Sequence, residues 1–481
     1  MTAAFKSPDF GESSWALSLD TYQRARSTRD ARFDGKFFIG VVTTGIYCRP
    51  ICPAQAPKEQ NVRYFPTAAA AAEAGLRPCL RCRPETSPGT PAWMGTSATV
   101  SRALRLIGEC ALDDGGVEEL SERLGLSSRQ LRRLFQQHLG ASPVTVAQTR
   151  RVHFAKRLMD ETGLPLTGIA LASGFRSIRQ FNDVFLTLYG RPPRDFRKKA
   201  ASSAPGAYTF RLSYRPPYAW DAVLRFLELR AIPGVERVRG TAYLRTFMLD
   251  GKAGQLSVKA AEGDAVILRV EYPEPSQLFR IVERTRRIFD LGADPQLIAA
   301  QLGTDPLMRP LLKRLPGLRV PGAWDGFELA VRAILGQQVS VAAATTMSGR
   351  IARSFGSPFN QSSADDSRIF PDAAVLAQVD LTSIGLTKQR AATIKELAER
   401  VASGEIRFDA QVDGLRRALL SVRGIGPWTV EYVAMRALGE PDAFPETDLA
   451  LRKAVPEGLL ERSALWRPWR AYAAMYLWMS L

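Results

Sequence analysis

The chain has 481 residues with 65 Lys and Arg against 48 Asp and Glu, a formal net charge of +17 and 46 % hydrophobic residues. That length exceeds what one core organises, so about three or four domains are expected, and the apolar content excludes a disordered polyelectrolyte. No apolar run reaches the ~18 residues of a spanning helix and the opening residues lack a signal-peptide pattern, so a cytoplasmic protein with no membrane partner is expected, its cationic excess directed at nucleic acid.

Residues 1–90 carry 12 basic and 8 acidic side chains, 91–203 carry 17 and 10, and 204–481 carry 36 and 30, so cationic density peaks in the middle. Pro-, Gly- and Ser-rich stretches at 84–98 and 198–208 read as linkers, and a weaker break falls at 288–295. Four domains are expected, over 1–88, 95–198, 205–288 and 289–481.

Four of the five cysteines cluster early, as Cys48-x3-Cys52 and Cys79-x2-Cys82. Two tight pairs brought together across a loop suit a tetrahedral thiolate site, zinc above all, whether purely structural or reactive. The surrounding TTGIYCRPICPA, NVRYFPTAAAAAEAGLRPCLRCRPE and DGKFFIGV resemble the N-terminal domain of the Ada adaptive-response family. The resemblance implies a small α/β zinc domain in which Cys48 is both metal ligand and acceptor of a methyl group from a DNA methylphosphotriester. Arg49, Arg63, Arg77, Arg81 and Arg83 are the nearby candidates for phosphate contact. Cys110, outside the cluster, is expected to be a buried structural thiol.

Between 117 and 193, VEELSERLGLSSRQLRRLFQQHLGASP returns as LTGIALASGFRSIRQFNDVFLTLYGRPP. Each copy reads as helix, glycine turn and Ser-capped second helix, with VAQTRRVHFAKRLMD as a helix joining them. This repeat resembles the AraC-type double helix-turn-helix domain, all α, which implies two recognition helices for successive major grooves. The DNA-facing candidates are Arg129, Gln130, Arg132 and Arg133 in the first copy and Arg176, Arg179 and Gln180 in the second.

In the C-terminal half, AYLRTFMLDGKAGQLSVKA and AVILRVEY alternate as strands do, and LRRALLSVRGIGPWTVEYVAMRAL places Gly424 and Gly426 between two amphipathic helices. Such a turn aims backbone N–H groups at a phosphate. With Asp448 in FPETDL following it, the segment resembles the helix-hairpin-helix glycosylase superfamily. RPPYAWDAVLRFLELRAIPGVERV, AVRAILGQQVSVAAA and WRPWRAYAAMYLW narrow the resemblance to the 3-methyladenine DNA glycosylase II family. That implies a small α+β domain followed by an all-α glycosylase domain, in a chain that is mainly α overall.

The family's chemistry asks for few groups. Alkylation leaves a positive charge on the purine, so the glycosidic bond is weak. The protein must extrude the nucleotide, hold the cationic base on aromatic faces and stabilise an oxocarbenium-like sugar with a carboxylate. The resemblance gives that role to Asp448, over the neighbouring Asp442 and Glu446, although an Asp after Pro445 also reads as a helix N-cap. It puts Trp428, Tyr432 and Trp478 at the base pocket, with Tyr218, Trp220 and Phe226 in support, and Gln338 where some members insert an apolar wedge. Trp428 replaces the lysine of strand-cutting relatives, which implies a monofunctional enzyme. The family's hairpin also binds a monovalent cation, here at the carbonyls around Leu420, Val422 and Ile425.

Two functions follow as expectations. One is a repair glycosylase fused to a methylation-responsive transcriptional regulator, a monomer that acts on double-stranded DNA and engages RNA polymerase. The other is a regulator whose C-terminal half supplies only DNA affinity.

Overall fold

The computed structural model describes residues 17–88, 98–113, 115–197, 206–359 and 366–481. The reading of the first sixteen residues and most of both linker assignments lie outside them. Pro84–Thr86, placed in the first linker, instead forms a 3-10 turn with Pro84 and Glu85 buried. No helix among the described residues is long and apolar enough to cross a membrane.

The chain divides into two compact units. The first takes the N-terminal part to Pro216 with Glu274–Glu283 and Leu291–Asp294, and the second takes Pro217–Pro273, Arg284–Asp290 and Pro295–Leu481.

In the first unit a four-stranded sheet runs in the order Val62–Phe65, Phe38–Val41, Ile46–Cys48, Arg77–Pro78. The first two pairings are antiparallel and the last is parallel. The helix Ala68–Glu73 lies close to this sheet because Ala70 and Ala71 are small enough to pack among Phe38, Tyr47 and Phe65.

The repeat folds as two helix-turn-helix motifs. Val117–Leu124 and Ser128–Leu139 make the first, Leu166–Ala172 and Ile178–Tyr189 the second, and the 19-residue helix Pro143–Glu161 joins them. Ser127 and Ser177 accept from the N–H groups of Gln130 and Gln180, at 3.2 and 3.1 Å, satisfying donors that a helix start leaves free. Leu131, Phe135, Phe181 and Phe185 are fully buried at matching positions.

The second unit opens with the helix Trp220–Glu228 and an antiparallel meander, Glu236–Arg239, Ala242–Leu249, Lys252–Ala261 and Ala265–Glu271. Asp250 and Gly251 turn the central hairpin with φ of 46° and 69°, the positive values a two-residue hairpin turn requires. Helices then follow to the C-terminus around Gly326–Leu335, which is buried from Phe327 to Leu335 and packs with Ile394, Leu397, Val430 and Val433. A helix buried on every side, with Glu328 and Arg332 its only charged residues, belongs at the centre of a helical domain. The architecture is therefore the expected one: a small four-cysteine domain, an all-α double helix-turn-helix, a small sheet-bearing domain and an all-α hairpin-containing domain.

Candidate functional site

Strand register builds the four-cysteine centre. The parallel pairs Ile46–Arg77 and Tyr47–Pro78, extended by the Cys79 N–H donating to the Tyr47 carbonyl at 2.9 Å, bring Cys48 and Cys79 to the same sheet end. Cys52 and Cys82 follow on tight turns, and the four Sγ atoms lie within 4.8 Å of one another. That spacing suits one tetrahedral ion with sulfur bonds of ~2.3 Å. Crowding alone disfavours four anions: the hydrogen bonds that the Cys48 S–H donates to the other three sulfurs, with burial, push its thiol far up.

The four sulfurs are not equivalent. Cys79 and Cys82 are buried, whereas Cys48 and Cys52 are half-buried. Backbone N–H groups reach three of them, from Ala54 to Cys52, from Cys82 to Cys79 and from Arg49 to Cys82 at 3.3 Å. Cys48 instead donates its S–H to its fellow sulfurs.

Two of the five nearby arginines are structural. Arg49 is 8 % exposed, pairs with Asp34, and donates to the Cys82 carbonyl and Thr86 Oγ1 at 3.0 and 2.7 Å. Its role is to brace the metal loop, which sequence proximity could not reveal. Arg83 pairs with Glu85 and Asp160. Arg63, Arg77 and Arg81 are exposed. Cys110 is half-buried rather than buried and sits at φ 68°.

On the recognition helices Arg129, Gln130, Arg132, Arg133, Arg179 and Gln180, together with Arg176 just before the second, are exposed. Arg132 pairs with Glu118 at 3.2 Å. Arg176 donates Nε to the Asp113 carbonyl at 3.1 Å.

In the second unit the hairpin joins Val412–Leu420 to Pro427–Ala437. Gly424 has φ 91°, and a Cβ there would meet Thr393 Oγ1 at 2.3 Å; both facts require glycine. Gly426 caps the second helix with φ −103° and open space around it, so a Cβ there would meet no neighbour. Gln337 Nε2 ties the hairpin to the central helix through the Gly424 carbonyl and Thr429 Oγ1, at 3.0 and 2.9 Å. Next to it Gln338 is exposed in a left-handed conformation, φ 56°, an uncommon backbone state for a side chain with a Cβ.

Asp448 is at once a cap and a focus of aromatic side chains. Its Oδ1 accepts from the N–H groups of Ala450 and Leu451, at 2.9 and 3.0 Å, and from Trp478 Nε1 at 3.1 Å; Oδ2 accepts from Trp428 Nε1 at 2.7 Å. Four N–H donors on two oxygens suit an ionised carboxylate, which is acceptor-only. Of the rival acids, Asp442 is taken by Arg467 and Arg470 at 2.6 and 2.7 Å, and Glu446 is exposed.

Tyr432 stacks on Trp428 with centroids 5.2 Å apart and tilts against Trp478 at 6.1 Å. Phe226 is reached through Arg436, whose guanidinium lies 5.1 Å from its centroid and 5.6 Å from that of Tyr432. Tyr218 and Trp220 make their ring contacts with each other, and Trp220 stacks on Phe289 at 5.3 Å. The Tyr218 hydroxyl donates to the Phe289 carbonyl at 2.6 Å, so these two brace the sheet-bearing domain. Sequence reading missed Arg230, Arg332 and Arg436 around Tyr432, because three separate elements supply them.

Four family models match the chain: the metal binding domain of Ada over residues 21–85, a helix-turn-helix domain over 120–199, the AlkA N-terminal domain over 209–325, and the HhH-GPD superfamily of base excision DNA repair proteins over 331–459. The chain is 42 % identical to the probable bifunctional transcriptional activator/DNA repair enzyme AlkA of Mycobacterium tuberculosis, over 95 % of each chain. It is 29 % identical to DNA-3-methyladenine glycosylase 2 of Escherichia coli, over 56 % of this chain and 96 % of that one. Among solved structures, the 3-methyladenine DNA glycosylase of Archaeoglobus fulgidus shares the fold at TM-score 0.50 and 23 % identity, covering 56 % of this chain and 97 % of its own. The four-sulfur cluster and the metal-binding match together make the N-terminal centre a zinc site.

Proposed function

Because the chain belongs to the family of the bifunctional transcriptional activator/DNA repair enzyme AlkA, we propose that it excises alkylated purines of the 3-methyladenine and 7-methylguanine type from double-stranded DNA and regulates transcription in response to methylated DNA phosphate. The observation that carries the first half is the Asp448 carboxylate, held by four N–H donors beside a stacked Trp428 and Tyr432.

The hairpin around Gly424 and Gly426 presents N–H groups to a phosphate, Gln338 enters the stack, and the extruded base lies against Trp428, Tyr432 and Trp478. The C1′–N bond breaks with its electron pair going to the base, which loses its positive charge. Asp448 faces the sugar cation that forms. Water adds to C1′, its proton passing to solvent, and free base and an abasic site remain. With Trp428 in place of an amine no Schiff base forms and the strand stays intact.

At the N-terminal centre Cys48 is the methyl acceptor. Zinc bound by four thiolates keeps the sulfurs deprotonated and electron-rich. Cys48 is half-buried, and backbone N–H groups draw charge from its three fellows. Its sulfur attacks the methyl carbon of a phosphotriester, an S–C bond forms, and the C–O electron pair leaves on the phosphodiester oxygen. The product thioether is neutral, so the face opposed to DNA loses a negative charge and binds tighter, with Arg129, Arg133 and Arg179 on the recognition helices meeting the duplex.

Chromatography of bases released from methylated DNA tests the enzyme: free 3-methyladenine is expected, and none would leave only the DNA-binding reading. For the acceptor, methyl-labelled phosphotriester DNA is expected to label Cys48 in wild type, and equal label on Cys48→Ser protein would exclude it.

A further inference from the structure

Tyr432 has polar surroundings that stacking alone does not require. Its ring is 7 % exposed, and its hydroxyl accepts from Arg436 Nη1 at 2.8 Å. Arg436 is fixed in that pose by donating to the Pro321 and Gly322 carbonyls at 2.8 and 3.0 Å. Arg230, following Trp220–Glu228, adds its positive charge beside the hydroxyl and lies 3.8 Å over Phe226. Arg332, on Gly326–Leu335, is 8 % exposed; it gives Nη2 to Thr345 Oγ1 at 3.0 Å and buries Nη1 without a hydrogen-bond partner.

A guanidinium only donates. The Tyr432 oxygen therefore meets donors, and among the described residues nothing is recorded that accepts the phenol's own proton. Arg230, Arg332 and Arg436 also line a cavity of about 30 Å³ with Arg245, Glu236 and Glu328. Both carboxylates there belong to Arg245, Glu328 at 2.8 Å and Glu236 at 3.4 Å. On the helix of Tyr432 itself, Glu431 is taken by Arg416 at 2.8 Å, and Asp448 reaches Tyr432 only through the two indoles. Three cations with no carboxylate in ion-pair contact, Arg332 alone feeling Glu236 and Glu328 at longer range, would oppose a cationic purine unless a group beside them carries negative charge.

We propose that Tyr432 is that group: Arg436, Arg230 and Arg332 poise its hydroxyl to ionise beside a bound base, and the phenolate ring so formed selects positively charged alkylpurines over neutral ones. This role in recognition rests on the glycosylase reading above. Burial alone would raise the phenol, but Arg436, Arg230 and Arg332 outweigh it and bring it down to about 8. A cationic base against the ring lowers it further, so base binding releases the phenol proton to solvent.

Among the tyrosines with displaced ionisation Tyr432 alone is shifted down, and Tyr22, Tyr47, Tyr64, Tyr189, Tyr208, Tyr243, Tyr472 and Tyr476 are shifted up. Ultraviolet titration of the full-length zinc protein is expected to show one tyrosinate with a midpoint of about 8. It should vanish in Tyr432→Phe and move up in Arg332→Met. Wild type with no tyrosinate below about pH 9.5 would overturn the proposal.

The second arm divides the wild-type excision rate by that of Tyr432→Phe, so the substrate's own titration cancels. Between about pH 6.5 and pH 9 the ratio should rise about tenfold for a cationic purine and stay flat for a neutral lesion. A rise for both, or for neither, overturns the selectivity. Absence of any base release defeats the glycosylase reading, whereas normal release with a flat titration defeats the phenolate alone.

Discussion

The indole N–H of Trp428 donates to Asp448 Oδ2 at 2.7 Å, joining the residue proposed to face the base to the residue proposed to face the sugar. Trp478 does the same to Oδ1 at 3.1 Å. The aromatic wall therefore aims the carboxylate as well as stacking, and the two roles separate in Trp428→Phe, which keeps a ring and loses the donor. Single-turnover kinetics on alkylated duplex are expected to show the chemical rate falling about tenfold, with DNA affinity changed less than about twofold. Equal losses in both would mean that only stacking mattered.

The two hairpin glycines should behave differently. Gly424→Ala meets a positive φ and Thr393 Oγ1 at 2.3 Å, so denaturant melts are expected to show a loss of about 2 kcal/mol. Gly426→Ala has room for its methyl group and should leave stability within about 0.5 kcal/mol. Its effect should appear in DNA affinity, because the methyl group stands where a phosphate approaches the helix start.

His153, on the long helix Pro143–Glu161, meets the Tyr47 hydroxyl at 3.0 Å, one residue before Cys48. Burial holds His153 down to about 4. The unfolded side chain takes up its proton near pH 6.5, so the neutral buried form contributes stability above that value, lost as pH falls toward 4. Thermal melts from pH 7 to pH 5 should show wild type losing roughly 1–3 kcal/mol more than His153→Gln. Parallel slopes would contradict it.

Much of this was readable along the chain wherever the chemistry is local. The paired cysteines, the repeat anchored by Leu131 and Phe181, and the glycine hairpin before Asp448 each declare themselves within a few residues. Asp448 read as either a cap or a catalytic acid, and it makes the cap bonds while receiving both indoles. What stayed hidden depends on register and rotamer across long separations. Arg49 resembled a phosphate ligand until the fold buried it on Asp34. Tyr218 and Trp220 lie a few residues before Phe226, but the Trp220 ring stacks on Phe289 and the Tyr218 hydroxyl donates to the Phe289 carbonyl. Arg436 lies four residues after Tyr432 on the same helix, but Arg230 and Arg332 come from two other elements, and no local pattern foretells their convergence.

Asp448→Asn is the sharpest probe of the repair assignment. Asparagine retains an oxygen for the N–H groups of Ala450 and Leu451 but sets an NH2 against the Trp428 indole N–H, so the melt should fall by about 1–3 kcal/mol while the protein stays folded. Removing the negative charge removes what stabilises the sugar cation, so release of 3-methyladenine from methylated duplex DNA should fall at least about a hundredfold. Release by folded Asp448→Asn at the wild-type rate would contradict the assignment of this carboxylate.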